Sequence, residues 1–135
     1  MKNSSSLIDS LEVYVLNNPE EVTPHWVSHF IVPTANELLI KIKNKDGNSG
    51  FGLATSYTDI SPLVKPFSSG IADLIIGEDP FSPEKLYEKI FKLTDTRISS
   101  EKGWSREALI RISAALDIAC WLSLIHISEP TRLRR

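Results

Sequence analysis

Apolar and polar side chains alternate along the first third of the chain in the way that β-strands require. Residues 11–16 (LEVYVL) are rich in β-branched and aromatic side chains, and residues 38–43 (LLIKIK) alternate over most of their length. The turn sequence KDGN at 45–48 favours a tight hairpin, because Asp-Gly accommodates positive φ. Residues 50–54 (GFGLA) are predicted to form the returning strand, with glycines where a neighbouring element comes close. The pattern predicts a three-stranded antiparallel meander whose first connection, residues 17–35, is long and irregular.

Beyond residue 60 the apolar positions recur at helical spacing. Residues 61–69 favour a short helix, because Pro62 is tolerated in a first turn whereas Pro66 opposes continuation. A second helix is expected from Pro83, with Ser82 as its N-cap, and a third begins near residue 105. The apolar faces of the last two helices comprise Leu86, Ile90, Leu93, Leu109, Ile112, Leu116 and Ala119. The predicted fold class is α+β, a three-stranded antiparallel meander followed by a helical bundle.

The 135 residues are enough for one domain, and their composition narrows its setting. The formal net charge is -2 and the basic residues are not clustered before the last few positions, which argues against a nucleic-acid partner. The single cysteine, Cys120, excludes an internal disulfide and a cysteine-based zinc site. No apolar run approaches the ~20 residues that span a bilayer, and the first ten residues lack a secretory signal. We expect a cytoplasmic protein, no membrane partner and a frayed start at residues 1–10.

The C-terminal segment, residues 122–135, has the features of a non-native addition. From Leu122 to Arg132 the sequence corresponds codon by codon to one reading frame of a transposon-based sequencing adapter, and Leu133 is compatible with the codon that follows. The alternative is a natural helix end followed by a basic tail. On the adapter interpretation the natural sequence stops near Trp121, so this segment is set aside in predicting the fold. The expected domain covers residues 11–121.

Three short motifs punctuate the meander and the helices: DGNSGFGLA, LIIGEDPFSPEKLYEKIF and ALIRISAALDIACW. In order and spacing they resemble the N-terminal capping domain of the mandelate racemase and muconate lactonizing enzyme branch of the enolase superfamily. That domain has a Gly-x-Gly strand, a Gly-x-Asp-Pro turn before a helix, and a helix that ends in an alanine-rich motif with Trp-Asp. The matching positions are Gly50, Gly52, Ile76, Gly77, Asp79, Pro80, Ala114, Ala115, Leu116, Asp117, Ala119 and Trp121. Leu122 departs from the family's aspartate at the position where the adapter match begins.

The resemblance implies a function for the intact parent rather than for this chain. These enzymes remove a proton next to a carboxylate, and Mg²⁺ stabilises the resulting enediolate. The bases and metal ligands lie on a β/α barrel that follows the capping domain, so we expect neither catalytic residues nor metal ligands here. We expect the parent to be a homo-oligomeric acid-sugar dehydratase (a lyase), or alternatively a racemase or cycloisomerase (an isomerase). A different hypothesis is that the chain is a complete, non-catalytic interaction module with this fold.

The candidate substrate-binding residues lie in the two loops that touch substrate in the resembled family. These loops correspond to residues 17–35 and 55–59, and the candidates are His25, Trp26, His29 and Tyr57. Imidazole and phenol groups can hydrogen-bond to a hydroxylated acid, and the indole can exclude water. The alternative is a loop that packs its own aromatic side chains and leaves the histidines exposed. The two histidines are not expected to bind a metal, because no third histidine and no cysteine is near them in the sequence.

Other polar residues have simpler structural explanations. Asp59, before Ser61, is expected to cap the short helix. The acidic residues near Asp79 are better explained by turn chemistry, because Asp79 precedes Pro80 and a capped helix. Cys120 lies on an apolar helical face and is expected in the core.

Overall fold

The structure, a computed structural model, describes residues 4–17, 25–32 and 36–128. A 3₁₀ turn at Ser4–Ser6 precedes the first strand. Within the described ranges the strands are β1 Ile8–Leu16, β2 His25–Val27, β3 Phe30–Val32, β4 Asn36–Asn44 and β5 Ser49–Ser56. The helices are α1 Ser61–Ser68, α2 Ala72–Ile75, α3 Pro83–Lys92, α4 Thr96–Lys102 and α5 Arg106–Ser128. The predicted α+β class is confirmed.

The meander is confirmed as an antiparallel sheet in the order β1-β4-β5. Because side chains alternate across a strand, β4 directs Leu38, Ile40 and Ile42 into the core, and all three are buried. The first strand begins earlier than predicted. Ile8, within the segment expected to be frayed, is buried, and its backbone exchanges hydrogen bonds with Gly77 and Glu78. These backbone hydrogen bonds extend the strand to Ile8. They leave no signal in the side-chain pattern, so the sequence predicted a later start.

The long connection after β1 is not irregular throughout, and that prediction is wrong for residues 25–32. These residues form a hairpin in which β2 pairs with β3 across the two-residue turn Ser28–His29. Ser28 has a φ of 47°, in the left-handed region that few non-glycine residues adopt. The sequence carries no Asn-Gly or Asp-Gly signal at this turn, which is why its pattern did not indicate a hairpin.

The three predicted helices are confirmed as α1, α3 and α5, while α2 and α4 were missed. Ser82 occupies the N-cap position of α3, but its side chain makes no capping hydrogen bond, so its predicted capping role is wrong. The turn before it is instead held by the Asp79 carboxylate, which accepts from the Phe81 amide at 2.9 Å. α4 has the side-chain cap that α3 lacks, since Asp95 accepts from the Arg97 amide.

Helix α5 lies directly on the core face of β5 because two glycines leave room for its backbone. A β-carbon at Gly52 would lie 2.6 Å from the carbonyl carbon of Ala115, and one at Gly50 would lie 2.9 Å from that of Ala119. Apart from Trp104, the remaining core is mainly aliphatic and includes Leu63, Ile71, Ile75, Leu86, Ile90, Leu109, Ile112 and Leu116. Cys120 is buried with them as predicted, and burial raises the pKa of its thiol to about 12.

α5 continues past Trp121 to Ser128, through the first part of the segment that was set aside. Ser123 is buried, and its hydroxyl donates to the Cys120 carbonyl at 2.9 Å. Residues 122–128 contain neither proline nor glycine, so they can extend a helix that is already nucleated, whatever their origin. The adapter origin of residues 122–135 and the domain boundary at Trp121 stay predictions.

Candidate functional site

The two loops predicted to meet substrate leave the same end of the sheet. Leu16, at the end of β1, pairs with Glu37, and Asn36, at the start of β4, pairs with Ser56 at the end of β5. The connection after β1 and the turn after β5 therefore both begin at this end. We refer to residues 57–60 as the site turn and to residues 25–32 as the hairpin.

The site turn is held by hydrogen bonds from the strands beside it. The Ser56 hydroxyl donates to the Asp59 carbonyl at 2.9 Å and accepts from the Thr58 amide at 3.4 Å. The Asn36 side chain donates to the Thr58 carbonyl at 3.1 Å. Two strand residues thus fix the backbone on which Tyr57 is carried, and the turn is pre-formed rather than free to adapt.

Asp59 joins the site turn to the first residue of α1, although it is not the N-cap that the sequence predicts. Its Oδ1 accepts from the Ser61 amide at 3.2 Å and from the Ser61 hydroxyl at 3.0 Å. These bonds favour the ionised carboxylate, so the hydrogen bond from the Ser61 side chain, followed by that from its amide, lowers the pKa of Asp59. The position assigned as N-cap is the next residue, Ile60, so Asp59 acts from just outside the helix.

Replacing Ser61 by alanine is expected to raise the pKa of Asp59 part of the way back to its ordinary value, because the amide bond remains. A lowered pKa contributes stability above the unfolded pKa, and that contribution is lost as the pH falls through the folded pKa. In Ser61→Ala it should therefore disappear at a higher pH than in the original chain. NMR titration of the Asp59 carboxyl carbon measures the midpoint. Ser69→Ala, which alters a hydroxyl bonded to the Lys65 carbonyl, is the control. An unchanged midpoint in Ser61→Ala would rule out this cause.

Tyr57 stands at the rim of a cavity of about 180 Å³ between the site turn and the start of α5. Its side chain is 45% exposed, and the Arg111 guanidinium lies 5.7 Å from the centre of its ring. Asp59 and Glu107 line the same cavity. The site therefore combines an accessible phenol with carboxylates and a guanidinium, groups that can hydrogen-bond to a hydroxylated molecule.

The other sequence-predicted residues lie on the hairpin. Trp26 pairs with Ile31 across the strands and is 73% exposed, so it does not pack into the described core. His29 is exposed in the turn beside Ser28. His25 begins β2, and its side chain lies outside the described part of the chain. The structure thus puts one candidate on the site turn and three on the hairpin; their contact with substrate stays a prediction.

Sequence reasoning missed Arg111, which connects α5 to the site turn. Its Nη1 donates to the Thr55 carbonyl at 2.6 Å, and its Nη2 donates to the Glu107 carboxylate at 2.7 Å. The spacing of Glu107 and Arg111 on one helix predicts their ion pair. Nothing in the sequence indicates the bond to Thr55, because that partner is 56 residues away.

A metal site is not formed by the residues that the structure describes. Among them, no three His, Cys, Asp or Glu side chains are grouped to hold an ion. The carboxylates around Asp79 are engaged otherwise: Glu78 forms an ion pair with Lys89, and Asp79 accepts from the Phe81 amide. These residues therefore do not fit a Mg²⁺ ion, which prefers several oxygen ligands. In the described ranges no helix is long and apolar enough to cross a membrane.

The N-terminal domain family of the mandelate racemase and muconate lactonizing enzymes matches residues 10–122 of this chain. Since the match covers most of the sequence and agrees with the observed fold, the chain belongs to this family. The family resemblance predicted from the sequence is confirmed. No curated protein matches the chain.

Solved structures with the same fold are much longer than this chain. A racemase from Streptomyces coelicolor A3(2) with bound magnesium matches with a TM-score of 0.68 and 20% identity, over 90% of this chain and 33% of the racemase. A mandelate racemase/muconate lactonizing enzyme from Polaromonas sp. JS666 matches with a TM-score of 0.65 and 23% identity, over 91% of this chain and 31% of that enzyme. A muconate lactonizing enzyme from Pseudomonas fluorescens, complexed with muconolactone, matches with a TM-score of 0.58 and 20% identity, over 83% of this chain and 30% of that enzyme. At these identities the likeness concerns the fold, and the chain spans about a third of each.

Proposed function

We propose that this chain is the N-terminal capping domain of a magnesium-dependent enzyme that removes a proton next to a carboxylate. The observation that carries the proposal is the arrangement of the site turn and the connection after β1 at one end of the sheet. Loops placed together on a rigid scaffold are suited to closing over a small molecule. The metal ligands and the base would lie in a following barrel domain, so this chain alone would have no catalytic activity.

The two loops are proposed to contribute differently to binding. The backbone of the site turn is already held by hydrogen bonds, so little conformational entropy is lost when Tyr57 contacts substrate. The hairpin presents the exposed Trp26, whose apolar area becomes useful only when it covers a ligand and excludes water. The site turn would form a fixed edge of the binding site, and the hairpin would cover the bound substrate.

The substrate class proposed is a small hydroxylated carboxylate, with an acid-sugar dehydratase as the parent activity and a racemase or cycloisomerase as the alternative. The first connection is rich in polar and aromatic side chains, which favours a substrate with several hydroxyls. The magnesium-containing racemase and the muconolactone complex of similar fold are compatible with the alternative. We further propose that the parent is a homo-oligomer and that residues 122–135 replace its natural continuation.

In the enzyme made from a complete reading frame, alanine substitutions in the two loops should raise KM for the acid substrate without changing its Mg²⁺ requirement. Replacing His25, His29 or Tyr57 removes a hydrogen bond to substrate that is worth about 0.5–1.5 kcal/mol. KM should therefore rise by roughly 2- to 13-fold. Trp26→Ala should weaken binding of several substrates alike. Steady-state kinetics on a panel of acids measures both effects.

Phe81→Ala provides a matched control for these variants. Phe81 is also an exposed aromatic residue, at 49%, but it lies near the turn that bonds to Ile8 at the opposite end of β1. Its replacement should leave KM unchanged. If the loop variants retained the original KM and substrate ranking, the loops would not form the binding rim, and this proposal would be wrong.

A further inference from the structure

Arg111 makes two contacts with the part of the chain that carries Tyr57, at Thr55 and at the Tyr57 ring, and is paired with Glu107 on its own helix. Its Nη1 donates to the Thr55 carbonyl at 2.6 Å, and its Nε and Nη2 donate to one oxygen of Glu107 at 3.1 and 2.7 Å. Its guanidinium lies 5.7 Å from the Tyr57 ring centre. We propose that Arg111 is a positioning residue, which fixes the site turn and aims Tyr57 at the substrate. The second part of this proposal, that Tyr57 is aimed at substrate, rests on the proposed function.

The geometry favours a positioning role for Arg111 over direct binding of a substrate carboxylate. A guanidinium has five N–H donors, and three of them are already used by acceptors within the chain. Its charge is paired with Glu107, and the Arg111 side chain is only 33% exposed. A substrate anion would have to compete with a carboxylate that is held one helical turn away. Tyr57, by contrast, is exposed.

Arg111 can fix the site turn because it connects a strand end to a rigid support. β5 is an edge strand of the described sheet, so part of its backbone lacks a neighbouring strand. Arg111 satisfies the Thr55 carbonyl at the point where β5 leads into the turn. The helix that carries Arg111 is itself pressed against β5 at Gly50 and Gly52. A displacement of the turn must therefore break a hydrogen bond to a helix that cannot easily follow.

The contact with the Tyr57 ring completes the arrangement. The cation attracts the ring face electrostatically, which restricts the tyrosine from one side while the side chain stays 45% exposed. The phenol can both donate and accept a hydrogen bond. A fixed phenol is suited to reading the position of a hydroxyl on a small acid, because less conformational freedom is lost on binding.

Hydrogen exchange in the chain itself tests the positioning role without any substrate. Arg111→Ala should accelerate exchange of the Thr58 and Ser61 amides by at least about 10-fold and leave β4 amides unchanged. The Thr58 amide bonds to the Ser56 hydroxyl, next to the Thr55 carbonyl that Arg111 holds, and the Ser61 amide bonds to Asp59 in the site turn. Arg111→Lys keeps the charge but not the planar fork, so it should restore part of the protection. Arg97→Ala is the matched control, because Arg97 forms the same kind of helical pair with Glu101 and is 88% exposed. It should have no effect on the turn.

Unchanged exchange of Thr58 and Ser61 in Arg111→Ala would overturn the inference, and so would an equal acceleration throughout the domain. The second arm uses the complete enzyme, where Arg111→Ala should raise KM by about the same factor as Tyr57→Ala and Arg97→Ala should not. A KM that responds to Tyr57→Ala but not to Arg111→Ala would also overturn it. If the turn loosened and KM responded to neither variant, the proposed function would be at fault, and the positioning of the turn would stand.

Discussion

Gly52→Ala is expected to destabilise the domain by at least about 3 kcal/mol, the upper end of the usual range for overpacking. The added β-carbon would lie 2.6 Å from the carbonyl carbon of Ala115 and closer still to its oxygen. Both atoms belong to the backbone of α5, so no side chain can rotate to relieve the clash. The helix would have to move away from β5 and open the aliphatic core between them. Urea unfolding followed by circular dichroism measures the loss of stability.

Gly47→Ala separates this close contact from the conformational cost of replacing a glycine. Gly47 has a φ of 88°, but a β-carbon there would meet no atom within 4 Å. Gly47→Ala should lower the free energy of unfolding by only about 1 kcal/mol. Backbone strain destabilises the folded state, and the smaller conformational entropy of the unfolded chain offsets part of that loss. Equal losses at the two positions would show that the contact between α5 and β5 is looser than the structure indicates.

Ile112→Ala should lower the free energy of unfolding by about 2–5 kcal/mol. Ile112 lies on the buried face of α5 and is 0% exposed, so its truncation leaves a cavity in a close-packed region. The loss of stability has two parts: the free energy of burying the removed atoms, and the van der Waals contacts that neighbouring residues lose around the cavity. The unfolding midpoint in urea measures the effect.

Ile110→Ala is the matched control on the same helix. Ile110 is 50% exposed, and the chemical change is identical. Because alanine is also the better helix former, its replacement should stay within about 0.5 kcal/mol of the original stability. A loss at Ile110 as large as that at Ile112 would mean that the outer face of α5 is covered, for example by a second copy of the chain.

Much of the fold could be predicted because its periodicities are local. The alternation along β4 and the helical spacing on α5 identify the buried faces, and Leu38, Ile112 and Leu116 are in the core. The glycines of β5 were expected to allow a close approach. The sequence did not identify the approaching element, because contact with the backbone of α5 leaves no side-chain pattern.

The parts of the fold that were missed depend on few residues. The hairpin turn uses Ser28 at positive φ, for which the sequence provides no glycine or asparagine signal. α4 has seven residues, too few to establish a helical period, although Asp95 before it and Gly103 after it are typical end signals. Short elements of this kind are fixed by their ends and by neighbouring elements rather than by periodicity.

The candidate site was only partly accessible to sequence reasoning. Tyr57 was selected from the position of its loop, and the structure puts it beside a cavity with Asp59 and Arg111. Arg111 itself was missed because its bond to Thr55 joins residues far apart in the chain. Helical spacing predicts which residues share a face of α5, but not which distant carbonyl such a residue will reach.

The proposal that this chain is the capping domain of a longer enzyme requires the natural reading frame to continue beyond Trp121. Sequencing the source genomic locus across this codon tests it most directly. We predict that the open reading frame continues with Asp directly after Trp121, in place of Leu122, and encodes a β/α barrel with acidic residues at the ends of its strands. A genomic sequence that encodes residues 122–135 as printed and then stops would contradict the claim, and would instead favour a complete, non-catalytic module.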